Sequence, residues 1–404
     1  MNTGSMRSHK QSVLSDSVLP GDLAALVQGN NTFACEIYQH LRAEEGNLFF
    51  SPLGISSILA MCYAGARHTT ASAMSRTMHF LVREDRLHKV FGALLRHLQA
   101  FLGEDACRLC IGNALWGQRD FAFIEEFRDL LKRAYGSGLE ELDFKDSCES
   151  ARRTINAWAE EKTQGHIKDL IPPDALDRDA RLVLASAIYF HCQWARPFDK
   201  DSTLPRPFTL DKDHSGSRTV EVPFMNQVDD FPYLETDVFQ ALQMPYSGGK
   251  LSMLILLPKE IGTLPLIEDQ LTEENLDSWI GQMVEERVKI ILPKFKLDYG
   301  MELSKVLVEM GMEEAFTPTA DFSGVSNDPR GLMISQLTHK ATVDVDEEGT
   351  EAAAATTLSF ALGIEEEEPV VIHEFRADHP FVFAIREVHT GSILFIGRLA
   401  APKD

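Results

Sequence analysis

Apolar positions in the first part of the chain recur at helical spacing. Leu23, Leu26, Val27, Phe33, Ile37 and Leu41 mark one helix. Ser51-Pro52 opens another, with Ser51 as cap and Pro52 in the first turn, and it runs through Ile55, Ile58, Leu59, Met61 and Cys62 to stop near Gly65. Helices are also predicted over 86–102 and 124–134, and over a segment with Ile155 and Trp158 on one face that ends at Gly165; a strand over 108–117 lies among them. From about residue 181 the pattern shifts to runs of strand length: 183–190, 220–225, 239–244 and 251–257, the last after the hairpin signal Ser247-Gly248-Gly249. Residues 288–296 alternate, a helix at 301–311 interrupts, and 332–347 alternate again. Strands over 381–386 and 393–399, joined by the His389-Thr390-Gly391 turn, close the chain. Helices mostly first and strands mostly later, with few βαβ alternations, predict an α+β fold with large, partly antiparallel sheets.

No Pro/Gly/Ser-rich linker or repeat divides the 404 residues, so one domain over 1–404 is expected, with 1–20 as a flexible N-terminal extension. The net charge of -22 argues against nucleic acid and anionic membrane surfaces as partners. No apolar run nears the roughly 18–20 residues of a membrane span. No signal peptide is recognisable, because Asp22 interrupts the best apolar candidate; a cytoplasmic location is the default expectation, and an extracellular one follows if a signal has been removed. Six cysteines are then expected as free thiols, and Cys107-x-x-Cys110 lacks the second pair or the histidines of a zinc site. There is no nucleophile elbow, metalloprotease helix, phosphate-binding glycine loop or dinucleotide fingerprint, so neither an enzyme nor a cofactor or metal is expected.

One segment resists an ordinary structural reading. About thirty residues separate the strand ending near Glu347 from the one starting at Phe381, and loops of that length are usually functional. Read as a strand, the segment from Thr350 presents Ala352, Ala354, Thr356, Leu358 and Phe360 on one face, and Glu351, Ala353, Ala355, Thr357 and Ser359 on the other. Such a strand fits a gap in a sheet with no unpaired charge on its first face. The hydrogen bonds it would gain are nearly cancelled by the entropy of ordering it, so insertion also needs side-chain burial and relief of a strained starting state.

With Asn47-Leu48-Phe49-Phe50-Ser51-Pro52, Asn113-Ala114-Leu115-Trp116, Trp194-x-Arg196-Pro197-Phe198 and Leu394-Phe395-x-Gly397-Arg398 in that order, the chain from about residue 30 onward resembles the serpins, the serine protease inhibitor family. Asn47-Leu48-Phe49-Phe50-Ser51-Pro52 resembles the start of the family's helix B, and Asn113-Ala114-Leu115-Trp116 its strand-3A region. Asn156-x-Trp158 with Thr163-x-Gly165-x-Ile167 is similar to its helix-F motif, and Trp194-x-Arg196-Pro197-Phe198 to the "breach" atop the main sheet. Leu292-Pro293-Lys294-Phe295, Ala320-Asp321-Phe322-Ser323-Gly324, Ala377-Asp378-His379-Pro380-Phe381 and Leu394-Phe395-x-Gly397-Arg398 follow in family order.

The resemblance implies helices packed around three β-sheets, with residues 348–369 as an exposed reactive-centre loop. A serine protease would attack that loop, form an acyl-enzyme, and be trapped as the cleaved loop inserts into the central sheet. The hinge would comprise Glu347, Gly349, Thr350, Glu351, Ala352, Ala353, Ala354 and Ala355, and these residues match inhibitory members. The shutter beneath the sheet would comprise Ser51, Gly54, Ser186 and His339. The chain departs from the family at Gly54, where a serine is usual, and at Ser186, where an asparagine is usual, so the network there must differ. Family spacing sets the scissile bond at Gly363-Ile364, with Leu362-Gly363 and Ile364-Glu365 left open. No Arg or Lys lies near it, which implies an elastase-, subtilisin- or chymotrypsin-like target. The expected partner is one target protease in a covalent complex, met by a monomer. Heparin is not expected, since Glu84 and Asp85 dilute Arg83, Arg86, Lys89 and Arg96. The rival readings are a non-inhibitory carrier or chaperone and a cross-class inhibitor of cysteine proteases.

Overall fold

The computed structural model describes residues 18–101, 107–213, 216–328, 330–349 and 371–402. In chain order the elements begin with α1 (Pro20–Leu41), β1 (Leu48–Phe50), α2 (Pro52–Tyr63), α3 (His68–Thr77), α4 (Glu84–Phe101), β2 (Cys107–Gln118), α5 (Glu125–Tyr135), β3 (Leu139–Leu142), α6 (Phe144–Lys162) and β4 (Leu182–Cys192). The strand-rich part follows as β5 (Leu204–Asp213), β6 (Gly216–Glu235), β7 (Phe239–Pro245), β8 (Leu251–Pro258), α7 (Leu264–Glu268), α8 (Glu273–Gln282), β9 (Val284–Pro293) and β10 (Phe295–Glu302). It ends with α9 (Ser304–Leu307), β11 (Ile334–Val345), β12 (His373–Arg376), β13 (Phe381–Glu387) and β14 (Ile393–Leu399).

Five strands form one sheet in the order β10-β11-β4-β2-β3. The other nine form a second network, β1-β14-β13-β8-β7-β6-β9-β12, with β5 added to β6. Two of the three expected sheets are joined there. The 20-residue β6 pairs with β9 along much of its length, and its last three residues also pair with β7. The main core fills the space between the two networks, where Phe190 of β4 meets Phe395 of β14 at 5.4 Å. A smaller core lies on the opposite face of the five-stranded sheet, where Ile155 and Ala159 of α6 cover Val183, Ala185 and Ala187 of β4. α2 is buried along its whole length, so its sequence is apolar all round rather than amphipathic.

Several boundaries move for local reasons. The single strand expected over 288–296 divides at Lys294, because Pro293 ends β9. β10 runs on to Glu302, so the helix expected over 301–311 starts at Ser304; it is regular to Leu307 and continues as a wider π segment over Val308–Met312, which Gly311 (φ 104°) interrupts. β5 carries two prolines and was not expected; it pairs only with β6, and an edge strand tolerates proline. α1 begins at Pro20, and residues 1–17 of the expected extension lie outside the described residues. The expectation of six free thiols is corrected: Cys107 and Cys192 face each other across β2 and β4 and are joined as a disulfide, while Cys35, Cys62, Cys110 and Cys148 are free. The two partners are 85 residues apart, and only strand pairing brings them together.

Candidate functional site at the seam of the five-stranded sheet

β11 and β4 lie side by side in parallel, from Gln336 opposite Val183 to Val343 opposite Phe190. Strands so distant in sequence, paired with no strand between them, form a seam. Beyond its upper end the chain continues from β11 into Asp346–Gly349, and every residue of that stretch is held. The Trp194 indole N–H donates to Asp346 O at 2.9 Å, the Trp194 backbone N–H to Glu348 O at 3.1 Å, and Phe198 N–H to Glu347 O at 2.7 Å. Trp194 is itself fixed by stacking on Tyr246, with centroids 4.5 Å apart and planes 7° from parallel. The Glu347 carboxylate is buried and receives Lys294 Nζ at 2.6 Å and Thr203 Oγ1 at 2.7 Å. Burial by itself would raise its pKa, but these two donors outweigh that and hold it below the usual range. Lys200 pairs with Glu348, which raises the Lys200 pKa. Gly349 has φ +80°, and a Cβ there would overlap Trp194 N and Cys192 O, so no other residue fits without moving backbone.

Beneath the seam, Ser51, Gly54, Ser186 and His339 come together. Ser51 N–H donates to His339 Nε2 at 3.0 Å. A backbone N–H can only donate, so Nε2 is bare, and Nδ1 carries the ring proton toward Ser186 Oγ at 3.0 Å. His339 is fully buried, and burial lowers its pKa to about 3. Ser51 Oγ caps α2 by accepting Gly54 N–H at 3.1 Å. At Gly54 a Cβ would overlap Ile188 Cδ1, so the space a serine would take is filled from β4. Two residues not singled out for this site complete it. Asn113 of β2, in register with Ser186, donates Nδ2 to Gly54 O at 3.1 Å and to Ser57 Oγ at 2.5 Å. An amide is thus present one strand away from the position where sequence reading looked for it, and only the β2–β4 register reveals that.

Thr350, Glu351, Ala352, Ala353, Ala354 and Ala355, and the scissile-bond candidates Leu362, Gly363, Ile364 and Glu365, lie outside the described residues.

The family profile described as serpin (serine protease inhibitor) matches residues 28–402. The chain belongs to the serpin family. It is 40% identical over 391 residues to an uncharacterised serpin-like protein of Thermococcus kodakarensis, covering 96% of this chain and 88% of that one. It is 38% identical to leukocyte elastase inhibitor A of Rattus norvegicus, covering 93% and 99% of the two chains. Among solved structures it is similar to human thyroxine-binding globulin, with a TM-score of 0.85, 30% identity, and 95% and 100% of the chains covered. Serpins are generally protease inhibitors rather than enzymes.

Two of the four basic residues considered on and just before this serpin's α4 are already paired: Arg83 with Asp85 at 3.2 Å and Arg86 with Asp22 at 2.7 Å. Among the described residues no group of three or more His, Cys, Asp or Glu side chains could hold a metal ion. No described helix is long and apolar enough to cross a membrane.

Proposed function

We propose that this serpin is an inhibitory member: a single-use inhibitor that traps a serine protease as its acyl-enzyme when the cleaved loop enters the seam between β4 and β11. The observation that carries this reading is the direct parallel pairing of those two strands, with the chain leaving β11 at the seam's upper end. A strand that followed β11 back down the seam would run antiparallel to both neighbours. One parallel ladder would be exchanged for two antiparallel ones, and antiparallel pairing is slightly the more stable per residue. The alanine-rich hinge from Ala352 to Ala355 offers small side chains to such an insertion and argues against the carrier reading suggested by the thyroxine-binding relative. With no basic residue near Gly363-Ile364, and with leukocyte elastase inhibitors among its relatives, the target is elastase-, subtilisin- or chymotrypsin-like.

The test is a titration with elastase, subtilisin, chymotrypsin, trypsin and papain on denaturing gels, with mass spectrometry of the released C-terminal peptide. The expected result is a band at the summed mass with one of the first three, and a peptide beginning at Ile364. If every protease cuts the loop and stays active, the inhibitory reading fails; a covalent band with papain alone makes this a cross-class inhibitor.

A further inference from the structure

The last residue of β4, Cys192, is joined to the first residue of β2, Cys107, by the one disulfide among the described residues. The bond closes the end rung of the β2–β4 ladder. Cys192 also begins the short segment that clamps the exit from β11. A Cβ at Gly349 would overlap Cys192 O, Gln193 Cα and Trp194 N, so these three residues form the floor on which Gly349 rests. Trp194 then donates to Asp346 O and to Glu348 O. On its other side the segment is held by Ser247 N–H to Gln193 O at 2.7 Å and by Ala195 N–H to Pro245 O at 2.9 Å. Residues 192–195 are thus tied to three neighbours, and the tie to β2 is the covalent one, which redox chemistry can undo.

A strand entering between β4 and β11 would leave β2 and β4 paired. The bond is therefore compatible with both the closed and the filled seam, but it acts on the closed one. To open the seam from its upper end, Gly349 has to lift off residues 192–194. That is easier when the end of β4 can fray from β2, as strand ends do. Covalent closure of the end rung denies β4 that freedom. The bond also joins positions 85 residues apart and so restricts the unfolded chain. Both cysteines stay in one fragment when the chain is cut near residue 363, so this second effect is common to the intact and the cut forms.

We propose that Cys107–Cys192 is a thiol–disulfide site that locks the clamp at the upper end of the seam when oxidised and frees it when reduced. Its reductants are low-molecular-weight thiols. A thiolate attacks Cys107 Sγ, the less buried of the two partners, and Cys192 leaves as a thiolate and takes up a proton. A second thiol then attacks the reductant's sulfur in the mixed disulfide. Cys107 is released as a thiol, and the reductant departs as its own disulfide with two electrons fewer. The reverse exchange with a low-molecular-weight disulfide restores the lock. Cys110 lies on the same strand as Cys107 but three residues on, so it faces the opposite side of the sheet and remains a free thiol. The proposal rests on the inhibitory reading, because only a seam that admits a strand has a use for the lock.

The test takes the full chain oxidised with glutathione disulfide or reduced with dithiothreitol, both without denaturant, and counts thiols by alkylation after a denaturing quench. Four thiols are expected in the oxidised chain and six in the reduced one. Each form is then mixed with a synthetic peptide of residues 350–361, and entry of the peptide is followed by native mass spectrometry. Entry should be about tenfold faster in the reduced chain. Cys107→Ser/Cys192→Ser should take up the peptide at the reduced rate with or without dithiothreitol, and Cys110→Ser/Cys148→Ser should respond to dithiothreitol as the unaltered chain does. Reduction should also lower the guanidinium midpoint of the intact chain more than that of the loop-cut chain, since the effect on the unfolded state is common to both. Equal entry rates in the two redox forms, equal midpoint losses, or a bond that dithiothreitol leaves closed in the native chain would each overturn the proposal and leave the inhibitory reading standing. No peptide entry in either form would overturn both.

Discussion

β8, β13 and β14 stand together in antiparallel pairing, and every one of their residues is buried. Phe49 of β1 stacks between Phe383 and Phe395 there, at 5.8 and 5.2 Å. β4 and β11 are mostly buried, yet they pair in parallel, and Ala185, Ser186, Ala187, Thr338, His339 and Thr342 gather at their join. The first region coheres through large apolar side chains that no other segment could replace. The second coheres through a parallel ladder and a buried histidine whose Nδ1 meets Ser186 across the join. A sheet parts at least cost where the side chains that meet at the join are small.

The contrast can be broken most forcefully in the aromatic region. Phe383→Ala should lower the unfolding free energy by about 3–5 kcal/mol, read from urea denaturation, since it empties a fully buried site. A comparable loss from His339→Ala would erase the distinction between the regions. Gly54→Ser should cost about 1–3 kcal/mol, because the new side chain overlaps Ile188 Cδ1. Pairing it with Ile188→Val removes that methyl and should recover most of the loss in thermal melts; no recovery would mean that Ile188 is not what excludes a serine.

The narrowest contrast is the pH dependence of the seam between pH 7 and pH 5. The folded pKa of His339 is depressed to about 3 from an unfolded value near 6.5. The unfolded chain therefore takes up this proton first. The stability that neutral His339 contributes is complete above about pH 6.5 and is lost as pH falls toward 3, by about 1.4 kcal/mol per pH unit. His88, lowered by burial to about 4, adds a similar slope from α4. Urea midpoints at pH 7 and pH 5 should lie closer together in His339→Gln than in the unaltered chain, whereas Phe383→Ala should leave their separation unchanged. An unaltered pH response in His339→Gln would show that the ring is not held neutral.

Local chemistry made much of this legible in advance. Ser51 and Pro52 announce α2 through capping and a preset φ, and the double glycine at 248–249, both residues at positive φ, announces the β7–β8 hairpin. β5 was hidden by its prolines, because nothing in a single segment says that it will lie at an edge. The helix expected over 301–311 starts later, at Ser304, because β10 pairs with β11 through Glu302. At the seam, Ser51 and His339 could be named from motifs, but Asn113 and the filling of the Gly54 space by Ile188 could not.

The sequence by itself determined the α+β class, the capped helix α2, the family and the long segment after Glu347, because each rests on residues close together in the chain or on motifs in a fixed order. Only the tertiary structure decided the Cys107–Cys192 pairing, the clamp of Lys294 and Thr203 on Glu347, and the amide of Asn113 beneath the seam. Each of these joins residues far apart in sequence, and a strand's register, which sets such neighbours, is an outcome of packing rather than of any one segment.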